Sequence, residues 1–99
     1  MPLKYAFEKF DAAIRALICL DIPLSDRLDA AIVEVSLLTA NKDLPPDFRK
    51  EFNQIMDKVH TYRGENHRAD MQADIAWAIF EIYKKLAAFT GMNQGSFYF

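Results

Sequence analysis

The chain has little of what usually marks a specialised protein. It carries one cysteine, Cys19, in 99 residues, which excludes an internal disulfide and fits a reducing compartment. Its three glycines, Gly64, Gly91 and Gly95, form no phosphate-cradling loop, and neither an HExxH pair nor an EF-hand loop occurs. Ser25, Ser36 and Ser96 lie in no nucleophile-elbow context. Twelve basic against fourteen acidic residues leave a net charge of −2, without the basic field that dominates nucleic-acid affinity. No apolar run approaches the roughly 20 residues of a membrane-spanning helix. Met1-Pro2-Leu3-Lys4-Tyr5 lacks the charged-then-apolar layout of a secretion signal. The expectation is a cytoplasmic protein with no cofactor and no affinity for nucleic acid or membrane. The missing motifs point away from an enzyme.

What is present is helical patterning. The hydrophobic share, 52%, is enough for a globular core and too high for a disordered chain. Leu3, Phe7, Phe10, Ile14 and Leu17 follow a 4-3-4-3 spacing that places them on one helix face. Pro23 ends that helix. Ser25 then reads as the N-cap of a second helix, with Asp26 and Asp29 near the positive end of its dipole. Leu28, Ile32, Val35 and Thr39 form its seam. Asn41-Lys42-Asp43 closes it, and Pro45-Pro46 opens a third helix in which Phe48, Phe52, Ile55, Val59 and Tyr62 repeat the spacing. Gly64 reads as a left-handed terminator. Asn66 reads as the cap of a fourth helix whose core line is Met71, Ile75, Ala78, Ile82, Leu86 and Phe89. The expected fold is all-α: one domain over 1–99, an antiparallel four-helix bundle with helices at about 3–20, 25–40, 46–63 and 66–90. Residues 91–99 are expected to form a flexible or docked tail.

Few residues invite chemistry. Asp57-x-x-His60 and His67-x-x-Asp70 flank the third turn, and antiparallel helices would carry both pairs to similar heights. Two imidazoles and two carboxylates could ligate a transition metal, which makes a metal-binding bundle the second functional reading. The competing explanation is a solvated helix end. Asp26, Asp29, Asp43 and Asp47 resemble paired acids, but each sits at a predicted helix start or turn, where helix-end stabilisation accounts for it. Cys19 shares a strip with Ala12 and Ala16, which reads as a site of close helix packing.

The last helix carries the stronger signal. Asp70, Asp74, Glu81 and Lys85 mark its solvent stripe. At about 100° per residue, Trp77 falls about 60° from Asp74 and close to Lys84, among the charges rather than over the core. Phe80 stands beside it. The tail then ends in Phe97, Tyr98 and Phe99. An aromatic ringed by polar groups is a frequent interface anchor. The expected function is therefore a protein–protein interaction or oligomerisation module without catalysis, in its simplest form a homodimer. Its expected contact residues are Trp77, Phe80, Phe97, Tyr98 and Phe99.

Overall fold

A computed structural model of the chain describes residues 2–19 and 21–89. Five helices account for most of them: α1 (Pro2–Cys19), α2 (Leu24–Ser36), α3 (Ala40–Asp43), α4 (Pro46–Gly64) and α5 (Ala69–Phe89). No strand occurs among the described residues. The all-helical expectation holds and the count of four does not. The extra element is the single turn α3, where Asn41-Lys42-Asp43 continues as helix instead of ending one.

Each turn has a local cause. Pro23 and Pro45 occupy the N-cap positions of α2 and α4, both with extended ψ, 154° and 156°. Ser25 therefore lies inside α2 rather than capping it. The carbonyls before these prolines are held by arginines four residues beyond them. Arg27 Nε donates to the Ile22 carbonyl (2.9 Å) and its Nη1 to the Leu17 carbonyl of α1 (2.7 Å). Arg49 Nε donates to the Leu44 carbonyl (2.9 Å) and its Nη2 to that of Asn41 (3.3 Å). In α3 the buried Asp43 carboxylate accepts the Thr39 backbone N–H at 2.7 Å, so helix-end stabilisation does explain this aspartate.

The α4–α5 turn differs from expectation. Gly64 stays helical, and the left-handed residues are Asn66 (φ 59°) and His67 (φ 57°). Asn tolerates that region because its short polar side chain bonds locally. The Glu65 N–H bonds the Thr61 and Tyr62 carbonyls, and the His67 N–H bonds that of Tyr62 at 2.9 Å. These bonds take up carbonyls that α4 leaves open. Since Asn66 is spent on the turn, α5 begins only at Ala69.

Paired residues give the helix directions. Lys9–Glu34 (3.6 Å) and Arg27–Leu17 set α1 against α2. Phe48–Phe89 (5.2 Å between centroids), Lys85–Glu51 (3.0 Å) and Lys58–Asp74 (3.1 Å) set α4 against α5. Tyr83 reaches α1, its hydroxyl 3.1 Å from Asp11 and its ring stacked on Phe7 at 5.4 Å. In the α1–α2 and α4–α5 pairs rising numbers meet falling ones, so these neighbours are antiparallel. Helix α5 packs against α1, α2 and α4. The result is a slab of 39 × 30 × 18 Å.

One apolar cluster joins the helices. The α4 seam is as read: Phe48, Phe52, Ile55, Val59 and Tyr62 are all buried. On α5 the buried line is Ile75, Ile79, Ile82 and Leu86; Ile79 replaces Ala78, and Phe89 is 52% exposed. On α1 the fully buried residues include Ala6 and Ala13 with Phe10, while Leu3, Phe7 and Ile14 are half-buried. The face is turned toward these alanines because α1 is flanked by α2 and α5. Small side chains let helix axes approach, and Ala31 of α2 is fully buried as well.

Candidate functional site: an apolar groove between α1 and α5

The C-terminal half of α1 lies beside the N-terminal half of α5. Between them lies a groove of about 410 Å³ lined by Ile14, Leu17, Ile18 and Leu24 on one side and Ala73, Ala76, Trp77 and Phe80 on the other. Every lining side chain is apolar. Trp77 is 61% exposed and Ile18 71%. The position of Trp77 follows from the helix period: Ile75 and Ile79 take the inward positions, so the residue midway between them points out. The Trp77 and Phe80 rings lie 5.6 Å apart and tilted by 51°. Lys84 Nζ sits 5.1 Å from the Phe80 ring centre and is paired with Glu81 at 3.3 Å. The groove is thus an apolar floor with a charged rim.

The expected aromatic pair on α5 therefore stands together at a concavity, with Trp77 exposed and Phe80 half-buried. Phe97, Tyr98 and Phe99 lie outside the described residues. The α1 wall was not read from the sequence. Ile18 falls outside the 4-3-4-3 seam, and its proximity to Trp77 depends on how α1 packs against α5. The one available signal was an isoleucine off the core line of α1, which takes on meaning only once its neighbour is known. The Ala12/Ala16/Cys19 strip is not the close-packed face, since Cys19 is exposed.

The four residues of the metal reading are not assembled. Asp57, His60, His67 and Asp70 are all exposed. Each end of the α4–α5 turn is otherwise engaged. His67 packs edge-on against the Tyr62 ring at 4.8 Å. Arg68 holds Asp70 with two bonds, 3.0 and 2.5 Å, and Glu65 at 2.6 Å. Bonding from Arg68 lowers the Asp70 pKa below the ordinary aspartate value. Among the described residues no group of three or more His, Cys, Asp or Glu side chains is placed to hold a metal ion.

A larger depression of about 580 Å³ lies between α4 and α5, lined by Asp47, Lys50, Glu51, Lys58, Glu81 and Lys85 among others. Lys85 is paired with Glu51, Lys58 with Asp74 and Glu81 with Lys84. Such a self-neutralised, mixed-sign surface presents no preferred ligand charge. No described helix is long and apolar enough to cross a membrane.

Among the described residues, fold and site together define an all-helical protein with an apolar groove between α1 and α5. The chain matches no known protein family, no curated protein and no solved structure.

Proposed function

We propose that this protein is an interaction module that forms a homodimer through the α1–α5 groove. The observation that carries the proposal is the exposure of Trp77 and Ile18 beside a groove with a wholly apolar lining. Contiguous exposed apolar surface of this kind marks association sites. A two-fold interface uses the same patch on both partners, so that patch must offer a protrusion and a hollow at once. This one does: Trp77 and Ile18 project, and Ala73 and Ala76 leave space beside them. Beside Phe80 the surface carries both signs, with Lys84 paired to Glu81. It can face its own copy without like-charge clash.

Sedimentation velocity over a concentration series tests the reading. The expected result is a monomer–dimer equilibrium, accompanied by a blue shift of the single tryptophan's emission as dimer forms. Trp77→Ala should weaken association by about tenfold or more, since buried interface tryptophans commonly contribute 2 kcal/mol or more. A chain that stays monomeric at the highest soluble concentration overturns the homodimer.

A further inference from the structure

We propose that the outer face of α2 pairs antiparallel with α2 of another copy, so that two groove dimers join into a tetramer. This inference rests on the groove dimer and adds a second, separate surface. Three observations carry it.

The first is a second seam. The inward residues of α2 are Leu28, Ala31, Ile32 and Val35. Ala30, Val33 and Leu37 repeat a helical 3-4 spacing on the opposite side. Val33 is 54% exposed and Leu37 55%, and right-handed helical geometry continues to Leu37. Helices α1 and α5 pack against α2 and cover its inward face. A helix that is apolar on two opposite faces calls for a neighbour on each.

The second is shape. A two-fold contact must fit itself, so its patch needs a projection and a hollow. About an axis at Val33, Leu37 of each copy falls opposite Ala30 of the other, large against small. Glu34, beside Val33, is drawn toward α1 by Lys9 at 3.6 Å. No pair of like charges therefore meets at the axis.

The third is charge. Asp26 is exposed at one end of the same stripe. At the other end the exposed Lys42 lines one depression with Leu37 and Tyr5. Among the described residues neither Asp26 nor Lys42 belongs to an ion pair. Asp26 precedes Val33 by seven residues, about 10 Å along the helix. The matching point on a reversed copy lies past Leu37, where Lys42 stands. Antiparallel pairing thus sets Asp26 against Lys42 twice, whereas parallel pairing would set like against like.

A single stripe of this length is too small to hold two free monomers together. A groove dimer carries two such stripes. Two dimers that close both contacts at once gain the effective concentration of a tethered pair, and two kinds of two-fold contact generate a tetramer.

Sedimentation velocity at concentrations beyond completion of the groove dimer is expected to show that tetramer. V33K changes an exposed side chain and is expected to stop at the dimer, with the parent's thermal midpoint at the lowest concentration. D26K and K42D are each expected to weaken tetramer formation by about tenfold, and the D26K/K42D exchange to restore it. A parent chain that stops at the dimer overturns the proposal and leaves the groove dimer standing. An exchange variant no better than D26K alone overturns the antiparallel pairing. A dimer that is lost in V33K but kept in Trp77→Ala supports the α2 contact and overturns the groove reading instead.

Discussion

Tyr62 shows most sharply how a single residue can carry two opposed roles. It is fully buried at the end of the α4 seam, where its ring contributes apolar area and receives the edge of His67. Its hydroxyl, however, has no hydrogen-bond partner of good geometry, and Asp29 Oδ1 of α2 is likewise buried and unpaired. Burial raises the Tyr62 pKa above its ordinary value of 10.0; the nearby Gln72 amide opposes the rise, and the Asp29 and Asp26 charges add to it. A buried donor left unpaired costs about 1–3 kcal/mol. Tyr62→Phe should therefore be neutral or stabilising by about 1 kcal/mol in urea unfolding, against the several kcal/mol lost by an alanine. The pH dependence has a definite sign. A phenol whose pKa is raised on folding contributes stability that is complete below pH 10 and disappears as pH climbs through the folded value. The alkaline decline should be shallower in Tyr62→Phe than in the parent chain. A clear destabilisation by the phenylalanine at neutral pH would mean that the hydroxyl is paired, through the Gln72 amide or through water.

At the scale of elements, the two proline-opened helices share one device. Pro23 and Pro45 fix the start of α2 and α4, and Arg27 and Arg49 each hold the carbonyl just before the proline. Arg27 does more, because its second bond reaches the Leu17 carbonyl near the end of α1. Hydrogen bonds from a charged donor contribute about 1.5–3 kcal/mol where water is partly excluded. Arg27→Ala should cost about 1–2 kcal/mol by chemical denaturation. Arg27→Lys should recover less than half, because an ammonium lacks the planar fork that spans two carbonyls. Full recovery by lysine would show that only the charge matters. The prolines were visible in the sequence; their arginine partners were not, since a contact five or ten residues back has no periodic signature. The same limit hid α3, because four residues are too few to show a helical period. Left-handed geometry at Asn66 and His67 rather than Gly64 was hidden for another reason. Glycine permits that conformation, but the carbonyls to be satisfied at Thr61 and Tyr62 decide where it falls. By contrast the α4 seam was legible in full, because its apolar residues form one narrow stripe. Helix α5 is apolar on several sides, so its period alone did not separate Ile79 from Ala78.

At the scale of the whole molecule, the α1–α5 groove runs along one face of the slab that the described residues form. Alanine at Ala6, Ala13 and Ala31 goes with close packing of α1 on α2, while Ile14, Ile18, Trp77 and Phe80 line the groove between α1 and α5. Trp77 could be placed from sequence, but its facing wall depends on which helices become neighbours. If a second copy fills that groove, folding and association are coupled by mass action, because ligand binding to the native state alone raises its stability. The thermal midpoint should then climb with protein concentration over a hundredfold range, and a hundredfold excess over the dissociation constant corresponds to about 2.7 kcal/mol for a simple ligand. Trp77→Lys should abolish the dependence, since a charge facing its own copy across a two-fold axis repels itself. The variant should still match the parent at the lowest concentration, because Trp77 is 61% exposed in the single chain and contributes little to its core. A variant that melts earlier at every concentration would show instead that Trp77 supports the fold. A parent chain whose midpoint is independent of concentration would show that no second copy pairs with this face, and that the groove serves a different partner.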